Sequence, residues 1–338
     1  MPPTAIWIKI CESDALRRSS QTLTVVNDAA YIFGGELRPR EPVESSVYRI
    51  PKRQDAGIDS ILSASADNAP QARVGATSTA LNGKIYVFSG RGGVGMAPIE
   101  ENGALWVLDT TSKDWSQVQP RDPAGPRPAG RSYHAMTNDG QDTIFIHAGC
   151  PEKGRLSDLW AFNVAERTWR ELPAAPAPER GGTSIAYTQG KLYRMNGFDG
   201  KTEQGGALDV FDPKTSSWQT VKFDADGSQG PGPRSVSCLL AVVVDGQPSL
   251  ITMLGEHDPS SLGHQGAGKM LDDVWIFAIH SQKWTKLMVE GGEKPCPRGW
   301  FDADVAGDTE VVIHGGLAES NQRLGDVWLL NLGAGMRS

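Results

Sequence analysis

The chain has 338 residues and a net charge of −7, with 33 Lys and Arg set against 40 Asp and Glu and no basic run, which excludes a general nucleic-acid or membrane-surface binder. Its longest apolar run, Cys238 to Val244, is too short to span a bilayer, and the opening MPPTAIWIKI has no basic segment leading into an apolar one. Cys11, Cys150, Cys238 and Cys296 are far apart and form no C-x-x-C pair, so a zinc knuckle or disulfide framework is excluded and the cytoplasm, or cytoplasm plus nucleus, is the expected compartment.

The first element, Trp7-Ile-Lys-Ile10, is a W-x-x-apolar strand with no repeat before it. Six intervals follow, each running from an arginine to a glycine that closes an apolar strand. They begin at Arg18, Arg73, Arg131, Arg180, Arg234 and Arg298 and end at Gly35, Gly90, Gly149, Gly197, Gly255 and Gly316, with separations of 17, 17, 18, 17, 21 and 18. After each glycine but the first comes a further apolar strand: LWVLD (105–109), DLWAFN (158–163), LDVFD (208–212), DVWIFA (273–278) and DVWLLN (326–331). Trp115, Trp169, Trp218 and Trp284 each stand six residues after such a strand and open another. Short strands, tight connections and a regularly placed Trp at this period read as four-stranded propeller blades.

The last repeat stops after its third strand, at Leu330-Asn331, and the N-terminal strand over 4–10 supplies the missing one. The expectation is an all-β, six-bladed propeller forming a single domain over 1–338. Its blades lie at about 11–66, 67–120, 121–174, 175–224, 225–290 and 291–332, and residues 4–10 close the last. Blade one is degenerate: its Ala/Ser/Asp-rich segment 51–72 lacks the Trp, and a weak outer strand is expected near Ile58–Leu62.

Strand parity puts all six arginines and all six loops after the glycines on one rim. The longest of these loops, 256–272, holds "GEHDPSSLGHQGAGK" together with its preceding glycine. Gly263-x-x-x-x-Gly268-Lys269 approaches a phosphate-binding loop, but Met270 stands where a hydroxyl is needed and a strand follows instead of a helix. Gly90-x-Gly92-x-x-Gly95 likewise leads into no helix, so neither is a nucleotide site. Glu256, Asp258 and His264 combine two hard oxygen donors with an imidazole, a set suited to Fe(II), Mn(II) or Zn(II). The alternative is a polar loop in which Glu256 caps local backbone amides.

The repeats resemble kelch repeats over the whole chain. Within that class the chain resembles the plant specifier proteins, the nitrile-, epithio- and thiocyanate-forming proteins of glucosinolate breakdown. The matching stretches include Trp7-Ile-Lys, Gly34-Gly-Glu-Leu-x-Pro-x-x-Pro42, Ala72-Arg-Val-Gly75, Arg131-Ser-x-His134-x-Met136, Arg180-Gly-Gly182, Arg234-Ser-Val236, Gly255-Glu256 and Arg298-Gly-Trp300. The resemblance implies a loop triad Glu-x-x-x-Asp-x-x-x-His for Fe(II). Glu256 and His264 keep the outer spacing, Ser260 stands in the middle, and Asp258 lies two residues early.

Arg73, Arg131, Arg91 and Trp300 are the expected substrate-binding residues: guanidiniums for an anion and an indole wall for an apolar or sulfur-bearing group. The competing role for the arginines is to bridge neighbouring blades, and for Trp300 it is interblade packing. His134, His147 and His314 are expected to be structural, and Glu36 to pair with an arginine. No covalent nucleophile stands out, so no catalytic residue is expected beyond the metal site. Two functions follow: a lyase-like, Fe(II)-assisted fragmentation of a small anionic metabolite, by resemblance a glucosinolate aglycone, or a protein-interaction module that grips an acidic peptide.

Overall fold

The computed structural model describes residues 4–54, 57–61 and 68–333. Each interval from arginine to glycine forms the two inner strands of a blade, as Thr77–Leu81 and Lys84–Phe88 do in the second. The next two apolar segments add the outer pair, here Leu105–Asp109 and Trp115–Val118. Five of these sheets are four-stranded and wholly antiparallel, and with a sixth, larger sheet they surround an axis. In the first blade the weak outer strand is Asp59–Ile61; Leu62, at the end of the expected element, lies outside the described residues.

The last blade closes as the strand count requires. Thr4–Glu12 pairs antiparallel with Asp326–Asn331, Trp7 opposite Leu330. A short strand, Met288–Glu290, pairs parallel to the start of Thr4–Glu12 and gives this sheet a fifth member, which the sequence pattern does not announce.

Alternation along a strand distributes the core. In Lys84–Phe88, Ile85 and Val87 pack toward the first blade with Phe33 and Val47, whereas Tyr86 and Phe88 pack toward the third with Ile144 and Ile146. The strands are therefore apolar on both faces, because each blade is covered on both sides by neighbours. Each fully buried side chain of this size contributes about 1.5–3 kcal/mol. No helix among the described residues is long and apolar enough to cross a membrane.

The glycine that ends each second strand has a physical cause. All six adopt φ between +91° and +107°, and a Cβ on Gly35 would lie 2.7 Å from the Ser19 carbonyl oxygen. Their amides reach the carbonyls of the next blade's arginines, Gly35 to Arg73 and so on round to Gly316, which donates to Arg18.

The arginine side chains, by contrast, tie together the strands of their own blade. Each Nη1 donates to the carbonyl just before its own blade's closing glycine: Gly34, Ser89, Ala148, Asn196, Leu254 and Gly315. Four of them also grip a carboxylate through both terminal nitrogens: Arg73–Glu101, Arg131–Asp158, Arg234–Asp273 and Arg298–Asp326. Each of these carboxylates also accepts an indole N–H, from Trp106, Trp160, Trp275 and Trp328 respectively. Blade four departs from this pattern. Asp209 stands where the other sheets place that Trp, and it pairs with Arg194 on the neighbouring strand, not with Arg180.

Removing Arg131 strands the Asp158 carboxylate, and breaking a buried pair of this kind costs about 3–5 kcal/mol. Arg131→Ala is expected to lower stability by that amount in urea unfolding. Arg180→Ala, which orphans no carboxylate, should lower it by less.

Candidate functional site

Two residues beyond each arginine the chain turns in toward the axis. Ser20, Gly75, Tyr133, Gly182, Val236 and Trp300 all adopt φ between +45° and +62°. Their backbones form one closed ring of hydrogen bonds, in which each amide donates to the carbonyl of the preceding blade's residue and Ser20 donates to Trp300, at 2.8–3.0 Å. The two aromatic members come from blades three and six, which face each other across the axis. Their rings meet edge-to-face with centroids 5.2 Å apart, and so form a floor over the central tunnel.

Above this floor is a mouth cavity of about 550 Å³. The first residue after each closing glycine pairs back to the residue after its arginine, which places Glu36, Arg91, Cys150, Phe198, Glu256 and Leu317 at equivalent positions around the opening. All but Leu317 line the cavity. Cys150 and Phe198 have no motif of their own, and only the repeat register would have picked them out.

Arg91 and Trp300 line the cavity. Arg91 is tied down: Nε donates to Ser132 Oγ, Nη1 to the Met96 carbonyl and Nη2 to the Pro151 carbonyl. Arg73 and Arg131 do not line it. Their side chains are about 1% exposed, and the guanidiniums are saturated by Glu101, Asp158 and backbone carbonyls, because acceptors of their own blade claim every direction in which they could donate. The guanidinium that serves the cavity is Arg155, from the loop of blade three. It makes no ion pair among the described residues, its Nε has no partner, and it lies 5.0 Å from the centre of the Phe198 ring. Arg40 adds a third positive group on the wall, beside Arg91 and Arg155.

Glu256 is buried at the cavity edge. Its Oε1 accepts the Gly268 amide at 2.8 Å, the local capping role weighed for it, and the carboxylate also accepts from the Trp300 side chain. Burial pushes its pKa up to about 7, the Gly268 amide works against that rise, and the nearby Glu203 carboxylate adds to it. Asp258 points elsewhere: its carboxylate is exposed and lies 3.5 Å from His257 Nδ1. The side chain of His264 lies outside the described residues. Pro259, Ser260 and Gly263 of the loop line the cavity, and Asp258 does not. Among the described residues no three His, Cys, Asp or Glu side chains gather closely enough to hold a metal. Asp258 therefore does not join Glu256 at the cavity edge.

Three buried histidines are structural. His134 bonds Thr77, His147 the Asp158 carbonyl and His314 the Leu16 carbonyl; burial drives the pKa of each down and keeps the rings neutral. Glu36 does pair with an arginine, Arg323, at 3.2 Å.

Below the floor is the tunnel, about 320 Å³, with Asp302 and Asp304 on its wall. Their carboxylates accept the amides of Leu23 and Val25 and so hold blade six to blade one. Burial raises their pKa values to about 7 and about 6, although each keeps an edge on the tunnel solvent.

A model of the KLHDC2/KLHL20/DRC7 Kelch-repeats domain matches residues 20–255, and the chain belongs to the Kelch-repeat family. It is 27% identical to the N-(sulfonatooxy)prop-2-enimidothioate sulfolyase of Thlaspi arvense, a match covering 95% of each chain. It is 24% identical to multiple epidermal growth factor-like domains protein 8 of Rattus norvegicus, over 70% of this chain and only 8% of that one. Among solved structures, that of YjhT superposes with a TM-score of 0.70 at 16% identity, covering 94% of this chain and 95% of the other.

Raised carboxyl pKa values favour the protonated folded state. The stability that Asp302 contributes is therefore complete below its unfolded value near 4 and is lost as pH rises through about 7. Asp302→Asn should flatten the decline in urea midpoint between pH 4 and 7, whatever its effect on absolute stability.

Proposed function

We propose that the mouth cavity binds a small, sulfur-containing anion and steers its fragmentation, a specifier-like role. One observation carries this reading: Arg155, a guanidinium with no ion pair among the described residues, stands against the apolar face of Phe198 and across a cavity that also holds Trp300. A sulfate ester matches a guanidinium fork, and the rings suit the organic remainder. The relative in Thlaspi arvense is named for a substrate bearing a sulfonatooxy group and an imidothioate, the charge pattern this cavity would accept.

In such a reaction the N–O bond breaks with its electron pair, and the developing charge, going to the departing sulfate, while the C–S pair becomes the third bond of the nitrile and the sulfur is released as zero-valent sulfur. Arg155, assisted by any remaining donor capacity of Arg91, would stabilise that charge in a water-poor site. Trp300 and Phe198 would hold the substrate carbon skeleton so that it fragments to a nitrile. Fe(II), implied by the family resemblance, would supply Lewis-acid chemistry to sulfur. Since Glu256 and Asp258 diverge, no step is assigned to it, and adding Fe(II) is a variable of the assay.

A second reading is supported by three exposed apolar tips, Leu37, Val94 and Leu262, on different mouth loops. They suit contact with a protein partner, whose acidic segment could reach the same Arg155.

The deciding assay releases a glucosinolate aglycone in situ and follows the ratio of nitrile to isothiocyanate, with and without Fe(II). The wild type should raise the nitrile share. Loss of one charge-assisted contact, worth about 1.5–3 kcal/mol, should cut that effect about tenfold or more in Arg155→Met with the melting temperature unchanged. No nitrile above the uncatalysed level, or full activity in Arg155→Met, would overturn the reading. Triple substitution of Leu37, Val94 and Leu262 by Ser should leave nitrile formation intact, and a protein-docking role would show itself as lost partner capture in the same variant.

A further inference from the structure

Blade four holds two buried guanidiniums and a single carboxylate to neutralise them. In four other blades the ring arginine binds both oxygens of an Asp or Glu. In the first blade Arg18 has Glu44 within 3.7 Å. Arg180 alone among the six has no carboxylate within ion-pair distance among the described residues. Ala207 occupies the position that Asp158, Asp273 and Asp326 hold in their sheets, so a methyl group stands where a carboxylate would reach.

The remaining bonds of Arg180 do not make up the difference. Nε donates to the Pro178 carbonyl and Nη1 to the Asn196 carbonyl, while Nη2 donates to nothing described. Arg194 stands beside it, fully buried, and its Nη2 donates to the same Pro178 carbonyl, so two like charges share one neutral oxygen. The Nε of Arg194 has no partner. Both oxygens of Asp209 are already engaged, by Arg194 and by Thr220. Asp199, the next carboxylate, is taken up by the Lys201 and Thr202 amides and by Gln204. An uncompensated buried charge is costly, and the other blades show which group relieves it at this point in the repeat.

We propose that Arg180 and Arg194 form an anion site that takes a small free carboxylate of the formate or acetate class, which stands in for the side chain missing at Ala207. The site lies between blades three and four. Arg180 does not line the mouth cavity, so the site is independent of the substrate reading above. Nη2 of Arg180 is not sealed from solvent, which gives a small ion access.

The test is thermal unfolding of the full chain at fixed pH and ionic strength, with sodium methanesulfonate exchanged for sodium formate. Binding to the folded state should raise the wild-type melting temperature saturably, by about 2–4 °C at ligand well above its dissociation constant. Ala207→Asp, which supplies the carboxylate internally, should lose the response. Arg180→Gln should lose it too and serves if the first variant does not fold. Broadening of the formate proton signal by wild type but not by Arg180→Gln is the direct readout. No formate response in the wild type, or an equal response in Arg180→Gln, would overturn the site.

Discussion

The ring of amide-to-carbonyl bonds through Ser20, Gly75, Tyr133, Gly182, Val236 and Trp300 is the constraint on which the rest of the molecule depends. Each link joins two blades, and each needs a residue turned into the left-handed region at the same place in the repeat. Glycine meets that requirement without steric cost at two positions; the other four carry a side chain there despite it. What those side chains do follows from the geometry, because anything larger than a methyl at this position projects over the axis. Tyr133 and Trp300 meet for that reason, and a mouth exists only because they separate it from the tunnel below.

The arginines illustrate how a repeat can mislead about function. Their spacing locates the blades, and two of the six, Arg73 and Arg131, stand out in the sequence as candidates for facing a ligand. Regularity instead reflects a shared structural duty. A guanidinium that meets a carbonyl, a carboxylate and its own backbone in successive blades has nothing left to offer a ligand. Arg155 does not belong to the periodic set, and that irregularity leaves it available. Blade number, strand order and closure by the N-terminal strand were all legible, because strand period, glycine placement and the W-x-x-apolar pattern are local. The interior of the mouth was legible only in part. Glu256, Arg91 and Trp300 stood out by type, whereas Cys150 and Phe198 are ordinary residues that matter only through register. The divergence of Asp258 from Glu256 depends on where a short turn points a side chain, and spacing in a loop carries no such information.

Buried polar groups in this fold obey one rule, that every junction satisfies its own charges. Asp302 and Asp304 hold blade six to blade one through backbone amides, and within single blades the Asp that accepts an indole N–H neutralises the arginine. Blade four breaks the rule by trading its Trp for Asp209 and its Asp for Ala207. Arg194 and Asp209 are a matched exchange, and Arg180 is what that exchange leaves over.

The pairing of Ile6 with Asn331 also bears on how the chain reaches this state. During synthesis the first strand leaves the ribosome long before its partner exists, and it must wait with its amides and carbonyls unpaired while five sheets assemble. Contacts so remote in sequence form slowly, and an unpaired strand invites the wrong neighbour. Closure of the final blade is therefore the pairing that has to wait for both ends of the series of blades to be present.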